Sequence, residues 1–158
     1  GLSLRGLAPH HLEIEVTEDV FLAGGGDVIS KVCENLRQAG VRVALDDFGT
    51  GFASLTHLLD FPLSVIKIDK SFVARLSTRA GATALVKAIV DIGSSLGVDV
   101  VAEGVETQEQ ADFLRSIGCG TAQGYLFHRP QPAADAISAI GRKALSPTFD
   151  RKVANAGI

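Results

Sequence analysis

Hydrophobic and polar positions along this chain follow two periods, and each change of period marks a predicted element. Residues 12–16 alternate apolar and acidic side chains with period two, which is typical of a β-strand with one buried face. From Val28 to Ala39 the apolar residues recur every three or four positions, which predicts an amphipathic helix. Asp27 is placed to cap this helix, and Gly40 to end it. The chain is therefore predicted to begin with a strand followed by a helix.

The same succession of a short apolar segment and a helical pattern repeats along the chain. Further strands, rich in β-branched residues, are predicted at 41–46, 65–69, 98–102 and 122–127. Further helices are predicted at 72–76, 80–96, 107–117 and 133–145. Parallel neighbouring strands need a long return connection, which a helix supplies, so these units predict an α/β fold with a parallel sheet.

Five strand and helix units fit either an open sheet or part of an eight-stranded barrel, and periodicity alone does not separate the two. The placement of polar residues favours the barrel, because such residues stand at the carboxyl end of every predicted strand. They are Glu15, Asp46, Asp47, Lys67, Glu103 and Gln123. In a barrel these strand ends converge on one face, so we expect the side chains to meet around one pocket.

The pocket predicted at this face is acidic. Four carboxylates cannot share it in the ionised form without a counter-charge, so a bound cation is expected. Since neither Cys nor His accompanies them, the oxygen ligands favour Mg²⁺ or Mn²⁺ over a structural Zn²⁺. Two such ions about 4 Å apart suit phosphodiester hydrolysis. Adjacent Asp46 and Asp47 reach one centre only if the strand bends, and residues 48–51 supply a glycine-rich turn.

The composition is that of a globular protein, and it argues against some classes of binding partner. Hydrophobic residues make up 46% and charged residues 21%, as in globular proteins. The net charge is −3 and basic residues form no run, so neither a nucleic-acid polymer nor an anionic membrane surface is expected as a partner. No apolar stretch approaches the ~20 residues that span a bilayer, and no secretory signal is visible, so we expect a cytoplasmic protein. Cys33 and Cys119 are expected to be reduced thiols.

Five segments together resemble the EAL domain family. They occur in the family's order, at residues 12–18 (LEIEVTE), 46–55 (DDFGTGFASL), 65–72 (VIKIDKSF), 101–107 (VAEGVET) and 123–127 (QGYLF). The resemblance, which runs from about Pro9 to Ile140, implies a modified (β/α)₈ TIM-like barrel, of which this chain supplies about five βα units. It also implies hydrolysis of the bacterial second messenger cyclic di-GMP to linear pGpG with Mg²⁺ or Mn²⁺.

The resemblance also implies roles for individual residues. Glu15, Asp46 and Asp47 match the family's metal ligands. Glu103 matches the carboxylate that helps to activate the attacking water, and Lys67 matches the cation that steadies water and phosphate. Glu18 matches the residue that holds the loop at 47–55. Glu106 matches a residue that supports substrate binding, and Gln123 matches one that contacts the site from the last strand.

Two family features do not occur in this sequence: the Glu-Ala-Leu segment of an early strand and a ligand Asn upstream of residues 12–18. We therefore expect a partial EAL domain at 1–145, a polar tail at 146–158, and no activity from the chain alone. A homodimer through the region after Phe52 and an upstream regulatory domain are expected as partners. The alternative function is an inactive module that binds cyclic di-GMP or only dimerises.

Overall fold

Short strands and helices follow one another along the chain in a computed structural model that describes residues 6–21, 26–49, 55–76 and 79–135. The strands are β1 (Glu13–Thr17), β2 (Arg42–Phe48), β3 (Val65–Ile68), β4 (Asp99–Ala102) and β5 (Thr121–Ala122). The helices are α1 (Gly26–Gln38), α2 (Leu55–Asp60), α3 (Lys70–Val73), α4 (Ala80–Leu96) and α5 (Gln108–Ser116). Short 3₁₀ helices at Pro9–His11 and Glu18–Phe21 flank β1.

The strands form one parallel sheet in which their spatial order equals their order in the chain. An open doubly wound sheet reverses its strand order at a switch point, whereas consecutive strands of a barrel do not. This order therefore decides between the two arrangements that the periodicity left open. The fold is α/β, and the sheet is an arc of a TIM-type barrel.

The centre of the sheet is buried and its β1 edge is not. All four residues of β3 are buried, and Ile66 and Ile68 pack with Val86 and Ile89 of α4. Burying each such side chain contributes about 1.5–3 kcal/mol. The residues of β1, in contrast, alternate between exposed and half-buried. The core thus fixes β2, β3 and β4 firmly and holds β1 mainly through pairing with β2.

Helix ends follow the sequence signals closely in the second half of the chain. Helix α4 covers the predicted 80–96, and Gly97 ends it in the left-handed conformation with φ 68°. Helix α5 begins with a complete capping box between Thr107 and Gln110. At α1 the prediction was wrong in detail, because the helix starts at Gly26 and Asp27 lies inside it rather than before it.

The prediction of a strand at 122–127 was wrong beyond its first residue. Pairing with β4 is confined to Thr121–Ala122. The N–H groups of Phe127 and His128 both donate to Gly124 O, so the apolar run at 125–127 forms a turn. The helix predicted at 133–145 is described over 133–135, while the loop at 50–54 and the tail at 146–158 lie outside the described residues.

Candidate functional site

A buried lysine lies among three carboxylates at the carboxyl end of the sheet. Lys67 is on β3, and its side chain is 9% exposed. Its Nζ lies 2.6 Å from Glu15 Oε1, 3.0 Å from Asp46 Oδ1 and 2.8 Å from Glu103 Oε1. Because these carboxylates come from β1, from β2 and from the residue after β4, parallel pairing brings together residues far apart in sequence.

Lys67 carries its charge in spite of this burial. Desolvation by itself would lower the pKa of its ammonium group. The neighbouring carboxylates of Glu103, Glu15 and Asp46 outweigh that effect and raise the pKa above its ordinary value. The side chain is therefore a fixed cation, held by three partners.

Two adjacent aspartates at the end of β2 reach the same centre. One carboxylate oxygen each from Asp46, Asp47 and Glu103 lies within 4.8 Å of the other two. Asp47 adopts φ 53°, and the register with β3 shifts between Leu45 and Phe48. Such a conformation costs a residue other than glycine about 1–3 kcal/mol and is typical of functional sites. The bend thus lies at Asp47, at the front of the turn that the sequence indicated.

The cluster holds more negative charge than Lys67 offsets. The pKa of Asp47 is raised, first by burial and then by the charges of Asp46 and Asp69. Asp46 Oδ1 is buried and accepts no hydrogen bond within the described residues, because Lys67 Nζ approaches it without hydrogen-bond geometry. A buried, unbonded oxygen in an all-oxygen donor set fits a hard divalent cation. Asp46, Asp47 and Glu103 therefore form a candidate metal-binding cluster.

Glu15 of β1 lies beside Lys67, and its role as a metal ligand stays a prediction. The Glu15 side chain is 48% exposed, and its Oε1 accepts a hydrogen bond from Lys67 Nζ. It is not one of the three carboxylates within 4.8 Å of one another. Glu18 lies behind the cluster and is 5% exposed. Its Oε1 accepts a hydrogen bond from the Gly49 N–H at 2.6 Å, which fixes the first residues after β2.

Gln123 and Glu106 lie on the β5 side of the cluster. Gln123 Nε2 donates to Glu103 Oε1 at 2.7 Å. Glu106 is exposed and lines a cavity of about 540 Å³ that Glu103 and Gln123 also border. The structure thus brings Gln123 into contact with the cluster and places Glu106 along the adjoining cavity.

Sequence reasoning missed several residues around the site. Asp69 caps α3 by accepting from the Ser71 N–H at 2.9 Å, and it faces Asp47. Because Asp69 directly follows β3, its position at the carboxyl end of a strand is the sequence signal that marks it as a site residue. Lys70 and Arg129 line the cavity, and the Arg129 guanidinium lies 4.5 Å from the centre of the Tyr125 ring. No periodic pattern marks these residues.

The two cysteine side chains pack in the hydrophobic core. Cys33 and Cys119 are both buried free thiols, and burial raises the pKa of each. They are therefore poor nucleophiles at neutral pH.

None of the described helices has the length and apolar character that a membrane crossing needs.

Comparison with known proteins finds relatives and solved structures that align with most of this chain. The oxygen sensor protein DosP of Escherichia coli (strain K12) is 46% identical over 130 residues, which cover 82% of this chain and 16% of DosP. The structure of the PaMucR phosphodiesterase in complex with c-di-GMP matches with a TM-score of 0.80 and 41% identity. A manganese and cyclic di-GMP complex of BlrP1 from Klebsiella pneumoniae matches with a TM-score of 0.75 and 41% identity.

The matches cover most of this chain and part of each relative. They span 85% of this chain and 54% of the PaMucR chain, and 82% of this chain and 33% of the BlrP1 chain. A family model described as EAL domain matches residues 2–130. The chain belongs to the EAL domain family.

Proposed function

We propose that this chain supplies most of the active centre of a metal-dependent phosphodiesterase that hydrolyses cyclic di-GMP to linear pGpG. The observation that carries the proposal is the set of oxygens from Asp46, Asp47 and Glu103 within 4.8 Å of one another, beside a buried, charged Lys67. The PaMucR and BlrP1 complexes, which contain cyclic di-GMP, support the choice of substrate. The manganese in the BlrP1 complex supports the choice of metal.

In this proposal Glu15, Asp46 and Asp47 would hold divalent metal, up to two ions. When bound, the metal supplies positive charge for the phosphate and lowers the pKa of water. Glu103 accepts the proton of the attacking water, and its Oε1 is oriented by Lys67 at 2.8 Å and by Gln123 at 2.7 Å. Water oxygen bonds to phosphorus, the bond from phosphorus to the ribose O3′ breaks, and O3′ takes a proton from solvent while Glu103 releases its proton to solvent. The 5′-phosphate that remains makes the product pGpG.

Lys67 and Glu18 support this chemistry in two ways. The Lys67 ammonium, held by Glu15 at 2.6 Å, offers a fixed positive charge to a phosphate oxygen as negative charge develops there. The hydrogen bond from Gly49 to Glu18 keeps the chain after Asp47 in its bent conformation.

The cavity beside Glu103 suits the rest of the dinucleotide. Its volume of about 540 Å³ lies within the usual range for small-molecule sites. Lys70 and Arg129 bring positive charge to the second phosphate, and Tyr125 offers a ring on which a base stacks. Glu106 lies on the same wall and supports substrate binding in this proposal.

The test is turnover in a complete EAL domain that contains this chain. With Mg²⁺ or Mn²⁺ we expect pGpG to form, and we expect Glu103→Gln to lower kcat about 10²–10⁴-fold because a general base is lost. Chromatography of the products over time measures the formation of pGpG and the kcat of the variant. Glu109→Gln, an exposed acid in the first turn of α5, is the matched control and retains wild-type kcat. A wild-type domain that binds cyclic di-GMP and never cleaves it contradicts the proposal and favours a receptor.

The other expectations about the whole protein stay predictions. We propose an EAL domain at 1–145 that needs further strands for activity, so residues 1–158 alone are expected to be inactive in the same assay. An upstream regulatory domain fits the small share, 16%, of DosP that the chain covers. A homodimer through the region after Phe52 also stays a proposal, and residues 50–54 lie outside the described residues.

A further inference from the structure

Gln110 is a buried polar residue in the first turn of α5, with 7% of its surface exposed. Its Oε1 accepts hydrogen bonds from the backbone N–H groups of Glu106 at 2.8 Å and Thr107 at 3.0 Å. Its Nε2 donates to Val73 O at 3.2 Å. One side-chain amide therefore joins two segments that are more than thirty residues apart in sequence.

Each of these segments carries part of the acidic site. Residues 103–107 lead from Glu103, at the end of β4, into α5. Val73 ends α3, and this helix follows β3 and its Lys67 after a single capping residue. The hydrogen bond from Gln110 to Val73 O thus links the loop of Glu103 to the unit of Lys67.

Backbone packing holds the same loop at two other points. Gly104 has φ 67°, and a Cβ added there would lie 2.5 Å from Lys70 Cβ, so the loop touches the start of α3. Gly124 lies directly against the backbone of Val105, so the loop also touches the chain after β5. The Glu103 N–H also donates to Ile68 O at 3.1 Å, and the Val105 N–H donates to Gln123 O at 3.0 Å. To these backbone contacts Gln110 adds hydrogen bonds from a side chain.

We propose that Gln110 is a positioning residue, which through Val73 O sets the place of Glu103 relative to Lys67 and so the geometry of the carboxylate cluster. The kinetic part of this inference rests on the proposed function. Glu103 Oε1 lies 2.8 Å from Lys67 Nζ in the present arrangement. Because catalysis depends on groups held to within a fraction of an ångström, a displaced loop lowers kcat while every site residue is kept.

Helix capping and positioning are separable by substitution. Gln110→Glu keeps an acceptor for the N–H groups of Glu106 and Thr107, since glutamate is a usual residue at this place of a capping box. The same change replaces the donor to Val73 O by a carboxylate oxygen. Thr107→Ala does the reverse, because it removes the hydroxyl that accepts from the Gln110 N–H at 3.2 Å and leaves the Gln110 amide intact.

The experiment uses a complete EAL domain that contains this chain, with cyclic di-GMP as substrate and Mn²⁺ as the metal probe. For Gln110→Glu we expect kcat to fall about tenfold, KM to change by less than about twofold, and Mn²⁺ binding to weaken about tenfold in electron paramagnetic resonance. For Thr107→Ala we expect a lower melting temperature, with kcat and Mn²⁺ affinity within about twofold of wild type. Gln108→Glu, an exposed residue of the same turn bonded to Asp112, is the matched control.

Unchanged kcat and Mn²⁺ affinity in Gln110→Glu overturn the proposal. The proposal is also overturned if Thr107→Ala lowers kcat and Mn²⁺ affinity as much as Gln110→Glu does, because the loss of helix capping then explains both variants. If Gln110→Glu does not fold, Gln110→Met, of similar volume, removes the hydrogen bond to Val73 O together with the two cap hydrogen bonds. A fall in kcat and in Mn²⁺ affinity well beyond that of Thr107→Ala then supports the proposal, and a fall no larger overturns it. A wild-type domain that binds Mn²⁺ without hydrolysis contradicts the proposed function alone, and the Mn²⁺ affinities then decide the positioning role. A wild-type domain that binds no Mn²⁺ overturns both.

Discussion

The two ends of the five-stranded sheet carry similar charges in different arrangements. At the amino end, Arg42 of β2 places Nε 3.0 Å from Glu13 of β1 and Nη2 3.0 Å from Asp99 of β4. The Arg42 side chain is 39% exposed. At the carboxyl end, Lys67 is 9% exposed and its single ammonium nitrogen lies within 3.0 Å of three carboxylates. Both cations connect strands, but only Arg42 has a separate nitrogen for each acid.

This difference separates a structural charge network from one that fits the proposed active centre. Solvent screens the Arg42 network, and each of its carboxylates is paired, so it contributes modestly and mainly to holding strands together. The Lys67 ammonium, in contrast, is buried, and it faces an excess of negative charge to which Asp47 adds. A buried network of this kind is sensitive to the loss of any partner and is completed by a cation. Barrel enzymes generally divide stability and chemistry between the two ends of their strands in this way.

The largest expected effect comes from removing the buried cation. In a complete EAL domain, Lys67→Met leaves three carboxylates close together without their counter-charge, so we expect the free energy of unfolding to fall by about 3–5 kcal/mol. Urea unfolding in the absence of metal measures this difference. Hydrolysis of cyclic di-GMP should be lost in the same variant.

The matched control for this change is Lys87→Met, which removes an exposed cation paired with Asp91 on α4. Its expected cost is below about 1 kcal/mol. If the two variants are equally stable, the ammonium of Lys67 does not balance the cluster and the contrast between the two ends is wrong.

A smaller effect is expected from adding the metal. A ligand that binds only the folded state at a hundred times its Kd stabilises it by about 2.7 kcal/mol, so Mn²⁺ should raise the Tm of the complete domain by several degrees. Asp46→Asn should abolish this shift, because it removes a carboxylate of the cluster. Asp99→Asn, at the other end of the sheet, should leave the shift intact. A metal-dependent shift that survives in Asp46→Asn would place the ion elsewhere.

Sequence reasoning located the strand ends because parallel pairing obeys simple rules. Polar residues at the end of each apolar run indicated one shared face, and Glu15, Asp46, Lys67 and Glu103 do lie together there. The family resemblance added roles, which geometry alone does not assign. The need for a bend at the paired aspartates also followed from the period-two geometry of strands.

Other features depend on tertiary contacts that no local pattern records. The run at 125–127 has the apolar character of a strand, yet Gly124 O accepts two N–H groups there and closes a turn. Gln110 reads as an ordinary capping residue, and its bond to Val73 depends on where α3 packs. Such features appear only when distant segments are brought together.

The smallest expected effect tests the amino end of the sheet. Arg42→Ala removes two partly exposed ion pairs, so we expect the free energy of unfolding to fall by about 1 kcal/mol and kcat to stay within about twofold of wild type. Because solvent ions screen such pairs, the loss should shrink as the salt concentration rises from low values to 1 M, where the Debye length is about 3 Å. Urea unfolding of wild type and variant at two salt concentrations measures this loss of unfolding free energy. A loss of several kcal/mol that ignores salt, or a large fall in kcat, would mean that this end too shapes the reactive face, and the division between the two ends would not hold.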